Sequence, residues 1–226
     1  MKSNLTNDAS PFSFKEVVPE PEIKWRETLR VFCQNRMALL GLILVTVFIF
    51  VGLFGSFIFP ADPFEMVATP LSEPGAGVIF GSDYMGRDVF IGIIYGTRPT
   101  LVIATIATLV TVLIGITLGA VAGFYGGIID NILMRITEFF QVLPPLVFTM
   151  VIVAVFSTDI VVVILAIAIT TWTPEARLTR AEFLKIKERE YVMSARAIGA
   201  KNLRLITKVI LPNAMPPLII AITLRV

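Results

Sequence analysis

The chain has 226 residues, of which 56% are hydrophobic and 16% charged, and its mean hydropathy is +0.84. Soluble domains average roughly 45–50% apolar and about 25% charged residues, so this composition excludes a disordered chain and an ordinary soluble globule. The net charge of +2 is too small to indicate nucleic-acid binding. The single cysteine, Cys33, excludes an internal disulfide, and the absence of histidine excludes histidine metal sites.

The N-terminal part divides into two predicted segments. Residues 1–22 contain three prolines and little periodicity, which indicates a flexible tail. Residues 23–59 are predicted to form an amphipathic helix followed by the first transmembrane helix. Trp25, Leu29 and Phe32 can share one face of the amphipathic part, which favours a position along the inner membrane surface. A plain extension of the first membrane helix is the alternative.

Four apolar runs predict membrane spans. They are Met37–Phe59, Leu101–Tyr125, Phe139–Ser157 and Ile160–Thr173. At ~1.5 Å per residue the first run reaches about 34 Å, which is enough to cross a ~30 Å hydrocarbon core. The triplet Ser157-Thr158-Asp159 is interpreted as a tight turn, and Gly126–Glu138 as a short connecting turn. The last apolar stretch, Pro216–Leu224, is too short to span. We therefore expect an all-α polytopic membrane protein with four full spans and the start of a fifth.

Residues 60–100 are interpreted as an external loop, with a short helix over Val89–Tyr95 that is capped by Ser82 or Asp83 and broken at Gly96. Lysine and arginine set the orientation. The first 36 residues carry six, residues 60–100 carry two, and residues 175–211 carry nine. The N-terminus and the loop of residues 175–212 are thus predicted to be cytoplasmic.

A stripe of small residues recurs at every fourth position of the second run, and Gly115, Gly119 and Gly123 are at its centre. Small side chains at this spacing let helix backbones approach closely in lipid, so the stripe predicts tight helix packing. A channel lining or a moving interface is the alternative interpretation.

The sequence contains no recognisable catalytic, metal-binding or phosphate-binding motif. The apolar runs contain no ionisable residue, which disfavours a proton-coupled carrier. No phosphate-binding loop, metal motif or nucleophile motif is present. We therefore expect no catalytic residue, no metal site and no cofactor bound by this chain, which is interpreted as a non-catalytic subunit.

The cytoplasmic loop holds three predicted helical segments. The first begins at Thr173 as N-cap, with Pro174 and Glu175 in its first turn, and continues to Lys187. The second covers Glu190–Ile198 and is stopped by Gly199. The third covers Asn202–Ile210 and is stopped by Leu211-Pro212. Small residues in the second segment favour insertion into a groove of another protein; an amphipathic hairpin lying on the membrane is the alternative.

The second segment resembles the EAA loop of binding-protein-dependent ABC importer permeases. Aligned on Gly199, the chain has the second alanine (Ala195), the glycine, and the leucine and proline of the downstream part (Leu211, Pro212), with Met193 at the position of the glutamate. The resemblance implies a coupling helix over about Glu190–Ala200 that contacts an ATPase. The residues it implies for coupling are Glu190, Tyr191, Met193, Ser194, Ala195, Arg196, Gly199, Ala200, Leu211 and Pro212.

A second stretch of the sequence limits the resemblance to one subfamily of these permeases. The run from Phe80 to Arg98 is similar to a signature of the oligopeptide, dipeptide and nickel permease subfamily. Its signature residues here are Gly81, Asp83, Gly86, Arg87, Asp88 and Arg98. Together with the amphipathic N-terminal segment, it is typical of the C-type permease subunit.

The resemblance implies an ABC importer type I permease fold and an ATP-driven importer in a bacterial or archaeal cell membrane. The implied partners are a second permease, two ATPase subunits that hold ATP and Mg, and an external binding protein. Oligopeptides or dipeptides are the implied substrates, and nickel or another small solute is the alternative. A membrane anchor for an ATPase and a secondary carrier remain further alternatives. Because such permeases normally have six spans, the permease core of residues 101–226 is predicted to be truncated.

Overall fold

The structure is a computed structural model that describes residues 25–75 and 77–224. Within these ranges the secondary structure is helical, with two isolated β-bridges and no strand. The helices are α1 (Trp25–Gln34), α2 (Arg36–Ile58), α3 (Val89–Tyr125), α4 (Gly127–Val142), α5 (Pro145–Phe156), α6 (Ile160–Thr171), α7 (Thr173–Lys187), α8 (Glu190–Ala197), α9 (Asn202–Arg204), a π-helix (Leu205–Ile210) and α10 (Leu211–Thr223). The predicted all-α class is confirmed.

The chain divides into two compact units, with the boundary in the sequence between Ile49 and Phe50. In the first unit, α1 ends at Gln34 and α2 begins at Arg36, with Asn35 between them. The Asn35 side chain caps α2, because its Oδ1 accepts hydrogen bonds from the backbone N–H groups of Met37 and Ala38 at 3.0 and 3.3 Å. The predicted flexible tail of residues 1–22 lies outside the described residues, and the surface position of α1 remains a prediction.

Three helices are long and apolar enough to cross a membrane: α2, α3 and the continuous stretch Asn202–Thr223. Two bent pairs also qualify if each is counted as one span. The α4–α5 pair bends by 86° and the α6–α7 pair by 45°. The described residues therefore provide up to five spans, which is consistent with the predicted span count.

Helix α3 is longer than predicted. It runs from Val89 to Tyr125 without a break at Gly96 or Pro99, so the predicted stop at Gly96 is wrong. Ile94 and Thr97 are buried on the face that meets α2, where Gly55 and Gly52 leave room for them. Packing on this face holds the helical conformation through two residues that would end an isolated helix.

The third predicted span is divided between two helices. Phe139–Val142 belong to α4, which also occupies the region predicted as the Gly126–Glu138 turn. Leu143 and Pro144 are extended, and Pro145 opens α5. Two consecutive prolines remove two N–H donors, so the helical hydrogen-bond pattern cannot continue from α4.

The tight turn between α5 and α6 is confirmed. Helix α5 ends at Phe156 and α6 begins at Ile160. The Asp159 Oδ1 accepts a hydrogen bond from the backbone N–H of Val161 at 2.9 Å, and this bond caps α6.

The helical path continues across Pro212, so the predicted stop at Leu211-Pro212 is wrong. The segment before it widens into a π-helix over Leu205–Ile210, in which the Leu211 N–H donates to the carbonyl of Ile206, five residues back. Pro212 has no N–H, and the wider turn lets the chain pass into α10 without a break.

The closest packing between two helices is that of α3 against α7. Gly115, Gly119 and Gly123 are all buried there. A methyl group on Gly119 would overlap the Ala176 carbonyl, and one on Gly123 would lie 2.8 Å from the Arg180 carbonyl oxygen. The absence of side chains on this stripe allows the two backbones to touch.

We expect Gly119→Ala to destabilise the protein by more than about 2 kcal/mol, because the added methyl group has no room and neither backbone can yield. Gly96→Ala is the matched control, since a Cβ there meets no atom within 4 Å. It should be neutral or slightly stabilising because alanine favours helix. Thermal unfolding of the detergent-solubilised full-length protein measures both, and equal melting temperatures would contradict the packing argument.

Candidate functional site

Helix α7 begins the loop that the sequence associates with an ATPase. Its predicted extent to Lys187 is confirmed, but Thr173 is not its N-cap. Trp172 precedes the helix with φ −70° and ψ −18°, and the Ala176 N–H donates to its carbonyl at 3.1 Å. Because the backbone stays helical through the 45° bend, no side-chain cap is required, and Thr173 is buried instead.

Helix α8 is short and has a defined end. Ile198 follows its last residue, and Gly199 takes φ +89°, a conformation that glycine adopts without strain. The Gly199 N–H donates to the Arg196 carbonyl and the Ala200 N–H to the Ala195 carbonyl, at 3.0 and 3.1 Å. These two bonds form a Schellman motif, so the predicted stop at Gly199 is confirmed.

A hydrophobic core that several helices share holds α8 in place. It joins the end of α3 to α7, α8, the π-helix and α10, through Ala120, Phe124, Phe183, Ile186, Val192, Leu205, Ile210, Ala214 and Leu218. Val192, the one buried residue of α8, has no exposed surface. Ala195, Ala200 and Leu211 pack against this core as partly buried residues. Three of the predicted coupling residues thus hold the loop together.

The rest of the α8 surface is exposed. Tyr191 and Met193 are 46% and 55% exposed, and Ile198, just beyond the helix, is 88% exposed. Glu190, Ser194, Arg196 and Gly199 also lie at the surface, as does Pro212 in α10. The structure therefore separates the predicted coupling residues into a buried anchor and an exposed set, in which Tyr191 and Met193 lie on the two flanks of Val192.

Two polar contacts tie the loop to the end of α3. The Lys187 Nζ donates to the carbonyl oxygen of Gly123 at 2.9 Å. The Arg196 guanidinium lies 5.7 Å from the centre of the Phe124 ring, which is within the range of a cation–π interaction. Positive charge at the C-terminal end of α3 is favourable because the helix dipole is negative there.

A buried ion pair joins α4 to α7. The Arg180 guanidinium meets the Asp130 carboxylate through two hydrogen bonds, and the Nη2–Oδ2 distance is 2.6 Å. Asp130 retains 12% and Arg180 32% of its side-chain exposure. A contact through two hydrogen bonds fixes the relative orientation of the two side chains as well as the distance between them. Sequence reasoning counted Arg180 only as a basic loop residue and did not place it at the site.

The predicted signature residues in the loop that precedes α3 form a second cluster. The Asp83 carboxylate accepts hydrogen bonds from the Met85 and Arg87 N–H groups, at 2.7 and 3.0 Å, and from the Arg87 Nε at 2.8 Å. Ser82 donates from its hydroxyl to the Thr69 carbonyl at 2.6 Å. These bonds organise the loop around Asp83, and neither Ser82 nor Asp83 caps α3 as predicted.

The other signature residues shape the entry into α3. Asp88 is the actual cap of this helix, since its Oδ1 accepts from the Phe90 N–H at 2.8 Å. Gly81 and Gly86 have φ of +79° and +81°, and each lies against a backbone carbonyl. Arg98 is exposed on α3, apart from this cluster. In the described part of the chain, no three acidic or cysteine side chains are close enough to hold a metal ion.

Comparison with known proteins identifies the family. Residues 115–226 match the family described as binding-protein-dependent transport system inner membrane component, and residues 24–73 match the N-terminal TM domain of oligopeptide transport permease C. The dipeptide transport system permease DppC of Haemophilus influenzae is 36% identical over 213 residues, 91% of this chain and 72% of the relative. The chain belongs to this family of transport permeases.

Further relatives agree with this assignment. DppC of Bacillus subtilis is 35% identical over 92% of this chain, and the oligopeptide permease OppC of the same organism is 32% identical over 89%. The chain spans 66% and 67% of these two permeases. The predicted permease fold and membrane-spanning class are therefore confirmed.

Removing the guanidinium at Arg180 leaves the mostly buried Asp130 carboxylate without its partner, so we expect Arg180→Ala to cost about 2–3 kcal/mol, less than for a fully buried pair because Arg180 is 32% exposed. Arg135→Ala is the matched control, because the Arg135–Glu138 pair is 84% and 57% exposed. Its loss should cost no more than about 1 kcal/mol. Thermal or denaturant unfolding in detergent distinguishes the two variants, and similar losses for both would contradict the role given to the buried pair.

The loop that precedes α3 should respond to acid through Asp83. The pKa of this carboxyl is lowered from 3.8, chiefly by the hydrogen bond from the Arg87 N–H, with contributions from Met85 and the Arg87 side chain that outweigh desolvation. The ionised Asp83 carboxylate contributes fully to the stability of the loop above pH 3.8. This contribution is lost as the pH falls through the lowered pKa. Pepsin cleavage near Tyr84 should therefore increase in this range.

Asp83→Asn supplies the comparison for this acid response. The amide cannot ionise. Cleavage of the variant, relative to cleavage of an unfolded peptide of the same sequence at each pH, should therefore already be high at pH 5, with no further step at lower pH. A wild-type-like profile in the variant would show that Asp83 does not organise the loop.

Proposed function

We propose that this permease subunit forms part of the pathway of an ATP-driven importer that carries small peptides. Relatives named as dipeptide, di/tripeptide or oligopeptide permeases align over 89–92% of the chain. The candidate membrane spans are α2, α3 and the stretch Asn202–Thr223, together with the bent pairs α4–α5 and α6–α7. Nickel or another small solute is the alternative substrate, and measurements of uptake distinguish it from small peptides.

The observation that carries the proposal is the arrangement of α8. An eight-residue helix exposes Tyr191 and Met193, while Val192 anchors it to a core shared with α3. A short helix with an exposed apolar side chain on each flank suits a groove on a partner, and its anchor passes any displacement to a membrane helix. We infer that the partner is an ATPase subunit and that α8 is the coupling helix.

The remaining partners follow from the importer proposal. A second permease completes the pathway, two ATPase subunits hold ATP and Mg, and an external binding protein delivers the solute to the side of the Asp83 loop. The basic loop of residues 175–212 then lies in the cytoplasm, together with the N-terminus, in accordance with the distribution of lysine and arginine.

Uptake into cells tests the substrate. Cells lacking the chain should lose accumulation of a radiolabelled dipeptide supplied with the native binding protein, and the full-length gene should restore it. Nickel-63 uptake in the same cells is the comparison. Loss of nickel uptake with normal dipeptide uptake would reject the peptide assignment, and loss of neither would favour an anchor without a transport role.

The α8 surface supplies a sharper test of coupling. We expect Tyr191→Ala with Met193→Ala to reduce co-purification of ATPase activity at least tenfold, because the exposed contact face is removed and the buried anchor is kept. Ile128→Ala with Ile129→Ala, at exposed positions of α4, is the control and should retain the activity. Unchanged ATPase association in the α8 variant would contradict its assignment as the docking helix.

A further inference from the structure

Two groups of basic side chains can be distinguished in the loop of residues 175–212. Those of the first group have partners within the chain. The Arg180 guanidinium is paired with the Asp130 carboxylate, and the Lys187 Nζ donates to the Gly123 carbonyl oxygen. These cations hold the loop against α3 and α4, so their role is explained by the fold itself.

The second group, here called the basic patch, consists of Lys201, Arg204 and Lys208. All three side chains are exposed. None of them forms an ion pair with any residue that the structure describes. The sequence supplies the reason, since residues 191–226 contain no aspartate and no glutamate. The positive charge of the patch is therefore not compensated within this part of the chain.

The patch follows the start of one continuous helical path. Lys201 directly precedes α9, Arg204 ends α9, and Lys208 lies in the π-helix that follows. Arg204 and Lys208 are four residues apart, close to one helical turn, so they lie on the same side of the helix. Leu205 and Ile210 have no exposed surface because they belong to the hydrophobic core, which leaves the bases on the outside.

Large apolar side chains lie among these charges. Leu203, between Lys201 and Arg204, is 71% exposed, and Ile198, which follows α8, is 88% exposed. A surface that combines cations with exposed apolar side chains is typical of a segment at a membrane interface. Its apolar side chains enter the boundary of the acyl chains, and its charges reach the headgroups.

The position of the patch agrees with an interface. The stretch Asn202–Thr223 is long and apolar enough to cross a membrane, and the bases lie at its N-terminal end. Lys208 lies further along this stretch, and its long side chain can extend back towards the headgroups. Lipid phosphate oxygens accept hydrogen bonds from lysine and arginine, and each base near an anionic leaflet adds to the attraction.

We propose that the basic patch, with Ile198 and Leu203, binds the phosphate headgroups of anionic phospholipids at the end of this span. The charge of the patch, the lack of acidic partners and the adjoining span favour a lipid surface. The proposal requires only that Asn202–Thr223 crosses the membrane, so it is independent of the solute and of the ATPase contact assigned to Tyr191 and Met193.

Fluorescence quenching at the patch tests this proposal. The full-length protein carries Cys33→Ser and Asn202→Cys, and the new thiol, at an exposed position, is labelled with bimane in phosphatidylcholine nanodiscs. Phosphatidylglycerol or phosphatidylcholine with a doxyl group near the ester end of one acyl chain is added at equal mole fractions. We expect phosphatidylglycerol to quench with a relative association constant at least about fivefold higher than phosphatidylcholine.

Two sets of variants assign this preference to the patch. Replacing Lys201, Arg204 and Lys208 by glutamine should bring the relative association constant close to one, whereas Lys201→Arg, Arg204→Lys and Lys208→Arg together should retain the preference. The matched control replaces three other exposed bases by glutamine, and it should keep the preference at the same loss of charge. These control bases are Arg135, Lys185 and Arg189.

Three results would overturn the proposal. Equal quenching by the two lipids in the wild-type patch would mean that it does not select anionic lipid and serves another partner, such as an acidic protein surface. An equal loss of preference in both glutamine variants would assign the effect to total charge. Loss of the preference on adding sodium phosphate at constant ionic strength would indicate a site for free phosphate. Dipeptide uptake, measured separately, tests the import proposal.

Discussion

The contact between the backbones of α3 and α7 is the constraint on which the site depends. At Gly115, Gly119 and Gly123 a single added methyl group would meet backbone or Cβ atoms of α7. In a bilayer the hydrophobic effect gives no preference for helix over lipid, so close packing supplies the attraction. This contact turns the first loop helix into a direct neighbour of a membrane-spanning helix over three successive turns.

The rest of the loop is built outward from that contact. Arg180 on α7 holds α4 through Asp130, and Lys187 reaches back to the carbonyl end of α3 at Gly123. Val192 then attaches α8 to the core that includes Phe124 of α3. A force applied to the exposed face of α8 passes through packed side chains and hydrogen bonds to α3. The arrangement suits a subunit that converts the movement of a partner into a change within the membrane, as the proposed function requires.

Proline shows where sequence reasoning about the fold succeeded and where it failed. The turn before α6 was predicted correctly, because a capping carboxylate such as that of Asp159 acts within a few residues. The break at Pro144-Pro145 divides a run that was predicted as one span. Pro99 and Pro212 carry the same local signal, yet the helix continues through both. At Pro99 the packing of Ile94 and Thr97 on α2 prevails, and at Pro212 a preceding π-helix rearranges the hydrogen bonds. Neither outcome is encoded in the residues adjacent to the proline.

The sequence by itself determined the membrane class, the glycine stripe and the end of α8 at Gly199, because hydropathy, residue size and backbone freedom are properties of single residues and short windows. It also carried the family resemblance. Only the tertiary structure decided that the stripe meets α7, that Asp130 pairs with Arg180 across 50 positions of chain, and that Glu175 lies buried beside Thr111 and Thr171. These features depend on which helix faces which, and that choice is set by the packing of the whole chain.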